Sequence, residues 1–589
     1  MKWNSASAVK IGLATRFSPW LGRYVLRFPR LNFRMSSDAT PQKAQNGAQL
    51  PSTKPHKKLL GRQFYESIGS PKYIVAPMVD RSEFAWRMLT RSFMTEDESK
   101  SLLAYSPMYH ARLFGEQEGV RHGNFQPTRE TIGDKTRKDE LYLDGNPAFD
   151  RPLFVQFCAN DPNQFLQAAQ HVAPYCDAVD LNLGCPQGIA RKGHYGAFLQ
   201  EDWDLIYKLI NKLSTELSVP VTAKFRIQET KEKTLEYAKM ILSAGANIIT
   251  VHGRRREQKG HETGVADWSY IRYLRDNLPP DTVIFANGNI LNHGDIQRCL
   301  DETGADGIMS AEGNLSDPTI FSKPPPVGSE GRDYWRGRDG KGGYRIDAIL
   351  RKYLDIIYKY VLEQPVPERK PLFLPSDPVD AEEEAKETEQ DEEEDGPPKK
   401  KQKRDKSKKI HSPNLGFMQG HLFQVLRPMV STHTNVRDAL ARARVGDMAA
   451  FEKVLALTEQ AIKTGLKEYE QNPEKFEKKE DESLTGSKAT IAEYGRPWWV
   501  CQPHIRPLPE EARETGALTA KGTVTTSKKK VENEKTQSAE TQTPTSEGTG
   551  TPANGTSANG TPANGTPANG TPANGVGPEN LTPDPLVSG

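Results

Sequence analysis

The sequence predicts an α/β fold, a (β/α)8 TIM barrel, followed by a smaller all-helical domain and flanked by polar tails. Two observations predict the barrel: eight short apolar runs recur between residues 70 and 322, and helix-like segments lie between most of them. Eight strands with intervening helices over roughly 250 residues is the usual make-up of this fold. A third observation predicts the second domain, because beyond residue 320 apolar residues recur at helical spacing.

Each predicted strand is an apolar run bounded by turn or helix signals. The predicted strands cover residues 73–78, 102–106, 152–157, 178–183, 219–225, 247–252, 282–287 and 306–310. The predicted helices between them cover residues 82–93, 161–173, 202–216, 231–243, 267–277 and 293–302. Gly245 and Gly304 each follow a predicted helix, where glycine commonly forms the C-terminal cap. An open doubly wound sheet is the alternative, but it usually carries a glycine-rich loop after its first strand, and this chain has Ala76-Pro77-Met78-Val79-Asp80 there.

Composition divides the whole chain into four predicted regions. Residues 1–60 form a disordered, targeting-like extension, and residues 70–322 form the barrel. Residues 340–470 form the helical domain, and residues 471–589 form a mostly disordered tail. Within the helical domain, residues 371–410 form a predicted disordered insertion, because an acidic block precedes a basic one and like charges repel. The tail contains TPANG-like pentapeptides over 551–575, which offer little apolar surface to bury.

Charge and cysteine content exclude several classes of protein. The formal net charge of +2 produces no global field for nucleic acid, so any basic surface must be local. The 5 cysteines are odd in number and widely spaced, which argues against a disulfide framework or a zinc site and fits a reducing compartment. We therefore expect no metal. No run of 18 apolar residues occurs, so we expect no membrane span.

Two segments carry conflicting signals for the cellular compartment. The first 37 residues contain no Asp or Glu but several Lys, Arg and Ser, which is typical of a mitochondrial presequence. The alternative is an upstream extension, with Met35 as the functional start. The run from Pro397 to Arg404 resembles a nuclear localisation signal, although a solvated linker has the same composition. The sequence leaves mitochondrial and nuclear or cytoplasmic locations open.

Seven of the eight predicted strands end in a polar or reactive side chain or in backbone suited to close approach. These ends carry Pro77, Met78, Val79, Gln156, Asn182, Cys185, Lys224, His252, Asn287, Gly288, Asn289, Ala311 and Glu312. In a (β/α)8 barrel the carboxyl ends of all strands meet at the face where catalysis takes place. The sequence therefore predicts that these residues form one site.

Each strand-end residue also has a purely structural interpretation. Cys185 alone would more often be a small buried hydrophobic residue, His252 a core histidine, and Asn287-Gly288 a turn. Lys224 is the strongest indication of function, because a lysine inside an apolar strand requires an anionic partner. Barrel phosphate sites commonly form in the loops after strands 7 and 8, which favours a phosphate at Gly288.

Together these motifs resemble those of the tRNA-dihydrouridine synthases, flavoproteins built on an FMN-binding barrel. The motifs that carry the resemblance are Ala76–Val79, Gln156, Leu181–Pro186, Ala190–Gly193, Lys224, Val251–Gly253, Asn287–Asn289 and Ala311–Gly313. The stretch GCPQGIARKGHYGAFL, residues 184–199, resembles the eukaryotic class that acts on D-loop uridines 16 and 17. The family often has Gly-Arg where this chain has Ala311-Glu312.

The resemblance implies an enzyme that reduces uridine in tRNA with FMN as cofactor and NADPH or NADH as reductant. It implies that Cys185 donates the proton to C5 of the uracil. The residues it assigns to FMN are Pro77, Met78, Val79, Gln156, Lys224, His252, Asn287, Gly288, Asn289, Ala311 and Glu312. It places Asn182 at the uracil. Arg191, Lys192 and Arg254 are further candidates for substrate contact, because they belong to basic clusters that flank proposed active-site residues, and a solvated basic loop is the alternative.

The resemblance also bears on partners. The helical domain is expected to bind the tRNA backbone through basic residues such as Arg437, Arg442 and Arg444, and the uridine must be flipped out of its stack. The expected assembly is a monomer without an obligate protein partner.

Two alternatives remain open at this point. One is an FMN-dependent dehydrogenase of the dihydropyrimidine or dihydroorotate type acting on a free base. The other is a non-catalytic RNA-binding barrel.

Overall fold

Eight parallel strands close into a barrel, in a computed structural model that describes residues 58–378, 412–477, 484, 486–507 and 510–511. The barrel strands are numbered β1 to β8: Tyr73–Val75, Leu103–Tyr105, Leu153–Cys158, Ala178–Leu183, Val221–Arg226, Ile248–His252, Val283–Asn287 and Gly307–Ser310. Each strand pairs in parallel with the next, and β8 pairs with β1 to close the ring. All eight predicted strands are confirmed, as is the barrel.

Helices surround the barrel because each strand is buried on both faces and needs a cover of apolar side chains. The α-helices up to the end of the barrel are Gly61–Ser67, Phe84–Arg91, Glu96–Lys100, Ala111–Glu116, Glu118–Asn124, Pro162–Val172, Gly188–Gly193, Trp203–Glu216, Lys231–Ser243, Trp268–Asn277, Gly294–Thr303 and Glu312–Ser316. Short 3-10 turns cover Arg129–Ile132, Ala173–Tyr175, Gly196–Leu199 and Gly260–Glu262. All six predicted barrel helices are present, and Gly245 and Gly304 follow their helices at φ of +108° and +63°.

The helical region packs directly onto the barrel helix Phe84–Arg91. Its α-helices are Ile346–Ile356, Pro413–Gly416, Met418–Val425, Arg427–Val430, Thr434–Arg442, Met448–Gln471 and Gly486–Tyr494, with a π-turn at Ile357–Val361 and a 3-10 turn at Pro473–Lys475. The His421 ring stacks on the Trp86 ring with centroids 4.2 Å apart, and Asn414 Oδ1 accepts from the Ala85 N–H at 2.8 Å. The barrel and the helical region therefore share one apolar core. The domain bounds expected from composition stay a prediction.

Two small strand pairings lie outside the eight-stranded ring. The short strand Tyr109–His110 extends the sheet beside β3, and a hairpin joins Tyr334–Arg336 to Gly342–Tyr344. A bridge also joins Arg345 to Val500, which brings the chain after Gly495 back to the barrel. Trp499 and Val500 are fully buried there. This packed segment lies inside the predicted tail, which composition alone had treated as mostly disordered.

Some predictions concern residues that the structure does not describe. The presequence-like extension, the acidic and basic blocks of the insertion and the TPANG repeats lie outside the described residues. In the part of the chain that is described, no helix is long and apolar enough to span a membrane. The same part contains no group of three or more His, Cys, Asp or Glu side chains arranged to hold a metal ion.

Candidate active site at the barrel mouth

The register of the strands brings the predicted site residues side by side at the carboxyl ends of β1–β8, called here the barrel mouth. Asn182 pairs with Lys224 across β4 and β5, and Arg226 pairs with His252 across β5 and β6. His252 in turn pairs with Asn287 across β6 and β7. Parallel strands in register place such neighbours within side-chain reach of one another.

The loop that carries Cys185 is held rigidly by its own neighbours. Asn182 Oδ1 accepts from the Gly184 and Cys185 N–H groups at 3.1 and 2.9 Å, and the Cys185 carbonyl accepts from the Ala197 N–H at 3.1 Å. Gly196 has a φ of +64°, and a Cβ there would lie 2.9 Å from the Cys185 carbonyl oxygen. The backbone of Cys185 is therefore fixed, and the residue is partly exposed at the barrel mouth.

Burial sets the protonation state of this thiol. It raises the pKa of Cys185 above its usual value, against the opposing influence of a backbone hydrogen bond and of nearby Arg226 and Lys224. A thiol whose pKa lies above its ordinary value stays protonated at neutral pH. Cys185 can therefore act as a proton donor.

A buried hydrogen-bond chain runs beneath the Cys185 loop. Asp180 Oδ1 accepts from the Thr222 hydroxyl at 2.6 Å, and its Oδ2 accepts from Gln156 Nε2 at 2.8 Å. Gln156 Oε1 then accepts from Asn182 Nδ2 at 2.8 Å. Burial raises the pKa of Asp180 to about 6, so its carboxylate is largely ionised at neutral pH. These hydrogen bonds therefore orient the side-chain amides of Gln156 and Asn182.

Asn182 is therefore a positioning residue as well as a candidate for substrate contact. Its oxygen is used by two loop N–H groups and one of its amide hydrogens by Gln156, which leaves a single hydrogen for a substrate. Asp180 was not among the residues predicted from the sequence to form the site. An acidic residue within the apolar run of β4 was the signal that could have revealed it.

Lys224 is a buried cation whose charge is offset in part by the nearby Asp180 carboxylate. Its residue is 8 % exposed, and among the described residues it forms no hydrogen bond or ion pair. Burial, together with the charge of Arg226, lowers the pKa of Lys224 to about 8. A buried ammonium group in this condition is stabilised by an added anion.

Arg226 ties three loops of the barrel mouth together. Its Nε donates to the Gly184 carbonyl at 2.8 Å, and its Nη1 donates to the carbonyls of Arg255 and Gln258 at 3.1 Å. Lys259 Nζ completes the link by donating to the Pro186 carbonyl at 3.0 Å. Arg226 and Lys259 therefore both help to hold the loop of Cys185 in place.

His252 and Arg254 form a buried pair beside β7. Arg254 Nη1 donates to His252 Nε2 at 3.0 Å, and Arg254 Nη2 donates to Asn289 Oδ1. Burial, then the charges of Arg226, Lys224 and Arg254, lower the pKa of His252 well below its usual value, so its ring is neutral. Since an arginine can only donate, the ring proton lies on Nδ1.

The position of Arg254 differs from the expected exposed, RNA-contacting loop. Its residue is only 3 % exposed, and its guanidinium also donates to the Thr263 and Gly264 carbonyls. The neighbouring Arg255 is exposed instead. Arg254 therefore faces the strand ends, where it can serve an anion rather than an RNA backbone on the surface.

The loops after β7 and β8 enclose a small cavity. It is lined by Arg254, Asn287, Gly288, Asn289, Ala311 and Glu312. Gly288 has a φ of +107°, and a Cβ there would lie 2.7 Å from the Ala266 Cβ and 2.9 Å from His252 Cδ2. Only glycine fits this close approach. The buried Asn287 Oδ1 has no hydrogen-bond partner among the described residues.

The remaining predicted residues lie around the rim. Met78 is buried, Pro77 half-buried and Val79 exposed, all directly after β1. Arg191 and Lys192 are on the helix Gly188–Gly193 that follows the Cys185 loop, and both are exposed. The structure thus brings the strand-end candidates into one site and leaves this basic pair on its outer edge.

The fold and the site define an enzyme: a closed (β/α)8 barrel with a protonated thiol and a cluster of buried cations at its mouth. Residues 74–338 match the family model for dihydrouridine synthase (Dus). The chain is 45% identical to the tRNA-dihydrouridine(16/17) synthase, NAD(P)(+), of Schizosaccharomyces pombe over 454 residues, which cover 77% of this chain and 92% of that protein. The chain belongs to the dihydrouridine synthase family.

Further relatives separate two classes within this family. The protein of the same name from Saccharomyces cerevisiae is 42% identical over 457 residues, covering 77% of this chain and 88% of that protein. The tRNA-dihydrouridine(20a/20b) synthase of the same yeast is 30% identical over 257 residues, covering 43% of this chain and 63% of that protein. Similarity to the 16/17 class is higher and extends over more of the chain.

Proposed function

We propose that this protein reduces the C5–C6 double bond of uridine in tRNA to 5,6-dihydrouridine, with NADPH or NADH as reductant and FMN as cofactor. The observation that carries the proposal is the protonated Cys185 thiol at the mouth of a barrel that also buries the cations Lys224, Arg226 and Arg254. The likeness to relatives named tRNA-dihydrouridine(16/17) synthase supports D-loop positions 16 and 17 as the target.

The residues at the barrel mouth fit FMN on the evidence of their chemistry. The buried Lys224 ammonium suits an electron-rich ring, while Arg254 and the close-approach backbone at Gly288 suit a phosphate. Asn287 Oδ1, buried and unpartnered among the described residues, is available to a hydroxyl donor such as a ribityl group. Pro77, Met78, Val79, Ala311 and Glu312 would border the cofactor from the loops after β1 and β8.

The chemistry divides between cofactor and protein. FMN, when bound, supplies hydride to C6 of the uracil. Cys185 holds the proton for C5 on its Sγ, and the Asp180–Gln156–Asn182 chain keeps the loop of Cys185 in place. Lys224 would stabilise negative charge on a bound flavin ring, in an environment where burial strengthens electrostatic interactions.

Exposed basic residues offer contacts for the tRNA backbone. Arg437, Arg442 and Arg444 are exposed in the helical region, and Arg191 is exposed beside the Cys185 loop. Arg437 is paired with Asp438 on the surface at 3.0 Å, an interaction that solvent screens and a phosphate can replace. Arg254, being buried, is assigned to the cofactor in this proposal.

Substrate choice tests the proposed function directly. The purified protein should show the yellow bands of a flavin and should convert uridine in unmodified tRNA transcripts, mapped at positions 16 and 17, with NADPH or NADH. Turnover of tRNA should fall steeply with added salt, because phosphate contacts release counterions. Comparable turnover of free uracil would favour a free-base dehydrogenase. A colourless protein that takes up no FMN would favour an RNA-binding barrel without catalysis.

The pKa of Lys224 predicts how FMN affinity depends on pH. The protonated ammonium can donate hydrogen bonds to the electron-rich ring and the neutral amine stabilises it less, so affinity should be constant up to a pH of about 8 and then fall, by up to about tenfold per pH unit for one linked proton. The affinity is measured by titrating flavin-free protein with FMN between pH 7 and 9. The charge of the FMN phosphate stays constant in this range, because the second pKa of a phosphomonoester is about 6.

A matched variant identifies the group responsible. Lys224→Met should bind FMN more weakly at pH 7 and lose most of this pH dependence. An unchanged pH profile in that variant would remove Lys224 from the flavin site.

A further inference from the structure

The segment from Arg496 to Pro507 forms a strap that ends at the loop after β8. Trp499 and Val500 anchor it in the core, where the Trp499 carbonyl accepts from the Ile346 N–H at 3.0 Å. The Cys501 N–H donates to the Tyr344 carbonyl at 2.9 Å, and its thiol donates to the Ser316 carbonyl at 3.0 Å. These contacts fix where the residues after Cys501 lie.

The strap delivers a guanidinium to the rim of the small cavity beside β7 and β8. Arg506 forms an ion pair with Glu312, and the two side chains are 16% and 21% exposed. Glu312 is itself one of the residues that line the cavity, together with Arg254 and Asn289. Arg506 Nε is buried and has no hydrogen-bond partner among the described residues.

The ion pair between Arg506 and Glu312 balances charge beside the cavity. A carboxylate at Glu312 would repel a phosphate in the cavity, and the Arg506 guanidinium cancels that repulsion. Arg254 is the other cation of the cavity. Burial, and to a smaller extent the positive charge of Arg506, lowers the pKa of Arg254 to about 9. The buried Arg254 guanidinium and the partly exposed Arg506 guanidinium therefore lie at a cavity whose lining includes the Glu312 carboxylate, and an additional anion would balance the second positive charge.

His504 on the same strap does not supply this charge. Its Nδ1 lies 3.5 Å from Ser316 Oγ and 3.4 Å from Arg427 Nη2, and its Nε2 lies 3.9 Å from a Glu312 oxygen. Burial lowers the pKa of His504 to about 4, so the ring is neutral. Arg506 is the cation that the strap contributes.

We propose that the strap is part of the cofactor site, with Arg506 neutralising Glu312 and donating its free Nε–H to the phosphate of FMN. The inference rests on the proposed function, because it requires that FMN be the cofactor. It assigns a binding role to a residue about 190 positions beyond β8, in a region whose composition resembled a tail. Arginine suits this role because its planar fork can bind a carboxylate and a phosphate at once.

FMN and riboflavin separate this role from a purely structural one, because the two differ only in the phosphate. Both dissociation constants are measured by fluorescence quenching on flavin-free protein. Arg506→Ala should raise the Kd for FMN about 10- to 100-fold, the range expected for loss of a charge-assisted hydrogen bond, and leave that for riboflavin within about twofold. Arg506→Gln, which keeps the size of the side chain, should give the same selective loss if the alanine variant folds poorly.

A control on the same strap is Arg496→Ala. Arg496 donates to the Gly342 carbonyl at 3.1 Å, away from the cavity, so its removal takes away an equal charge and loosens the strap without changing the preference for FMN. Equal loss of FMN and riboflavin binding in Arg506→Ala would overturn the inference and leave Arg506 an anchor. A wild-type protein that bound neither flavin would refute the cofactor proposal itself, and this inference with it.

Discussion

Replacing Cys185 with alanine should lower the rate of uridine reduction by about 10²- to 10⁴-fold, the range by which general acids contribute. FMN and tRNA binding should be unchanged, because Cys185 holds its loop through backbone groups that alanine retains. The loss follows from the thiol being the protonated donor, since burial raises its pKa. Single-turnover reduction of tRNA by the pre-reduced enzyme measures this step apart from reductant binding.

A second cysteine provides the control for this experiment. Cys299→Ala removes a buried thiol on the outer helix Gly294–Thr303 and should react at the parent rate. If Cys185→Ala also reduced uridine at the parent rate, the proton would have to come from another group. A flavin lost on purification of Cys185→Ala would mean that the thiol has a structural role instead.

Arg87→Met should destabilise the protein by about 3–5 kcal/mol, the cost of leaving buried charges unpaired. Arg87 is fully buried in the helix Phe84–Arg91, and it bonds Asp150 at 2.6 and 3.0 Å and Asp144 at 2.8 Å. Removing it leaves two carboxylates in the core. Burial already raises the pKa of Asp144 with the arginine in place.

Urea unfolding followed by circular dichroism measures this loss of stability. Arg272→Met is the matched control, because its pair with Asp276 is half exposed and should contribute at most about 1 kcal/mol. In Arg87→Met the folded-state pKa of Asp144 rises further, so the folded state gains on the unfolded state as pH falls and the deficit in stability should shrink. A deficit equal to that of Arg272→Met would show that the buried cluster is dispensable.

The barrel was predictable because its strands are buried on both faces. Such strands appear as short, nearly continuous apolar runs, and the helices between them show their own periodicity. The boundaries from β3 to β8 agree to within two residues, whereas β1 ends at Val75 rather than at Met78. The reason lies in the local sequence, since Pro77 cannot donate to a sheet ladder.

The packed strap was not predictable from composition. Its apolar core, Trp498 to Cys501, is only a few residues long and is surrounded by polar sequence. The strap is ordered by its pairing with the edge of the hairpin, where Val500 forms a bridge with Arg345 and the Cys501 N–H donates to the Tyr344 carbonyl. These partners are distant along the chain. Contacts between residues so far apart produce no periodic pattern in the local sequence.

The candidate site was predictable in its residue types but not in its internal connections. Strand ends identified Cys185, Lys224 and His252, because polar groups at the end of an apolar run are costly unless they are used. The sequence did not reveal that Asn182 holds the Cys185 loop or that Asp180 orients Gln156. Those bonds depend on rotamers and on the register between neighbouring strands.

By itself, the sequence determined that this chain forms a (β/α)8 barrel of the dihydrouridine synthase family with a thiol among cations at its mouth. Periodicity and local motifs encode that much, because they depend only on neighbouring residues. The tertiary structure alone decided that Arg254 turns inward and that Arg506 returns to Glu312. Both depend on contacts between residues far apart in the chain, where the cost of burying a charge is offset only by partners that the fold assembles.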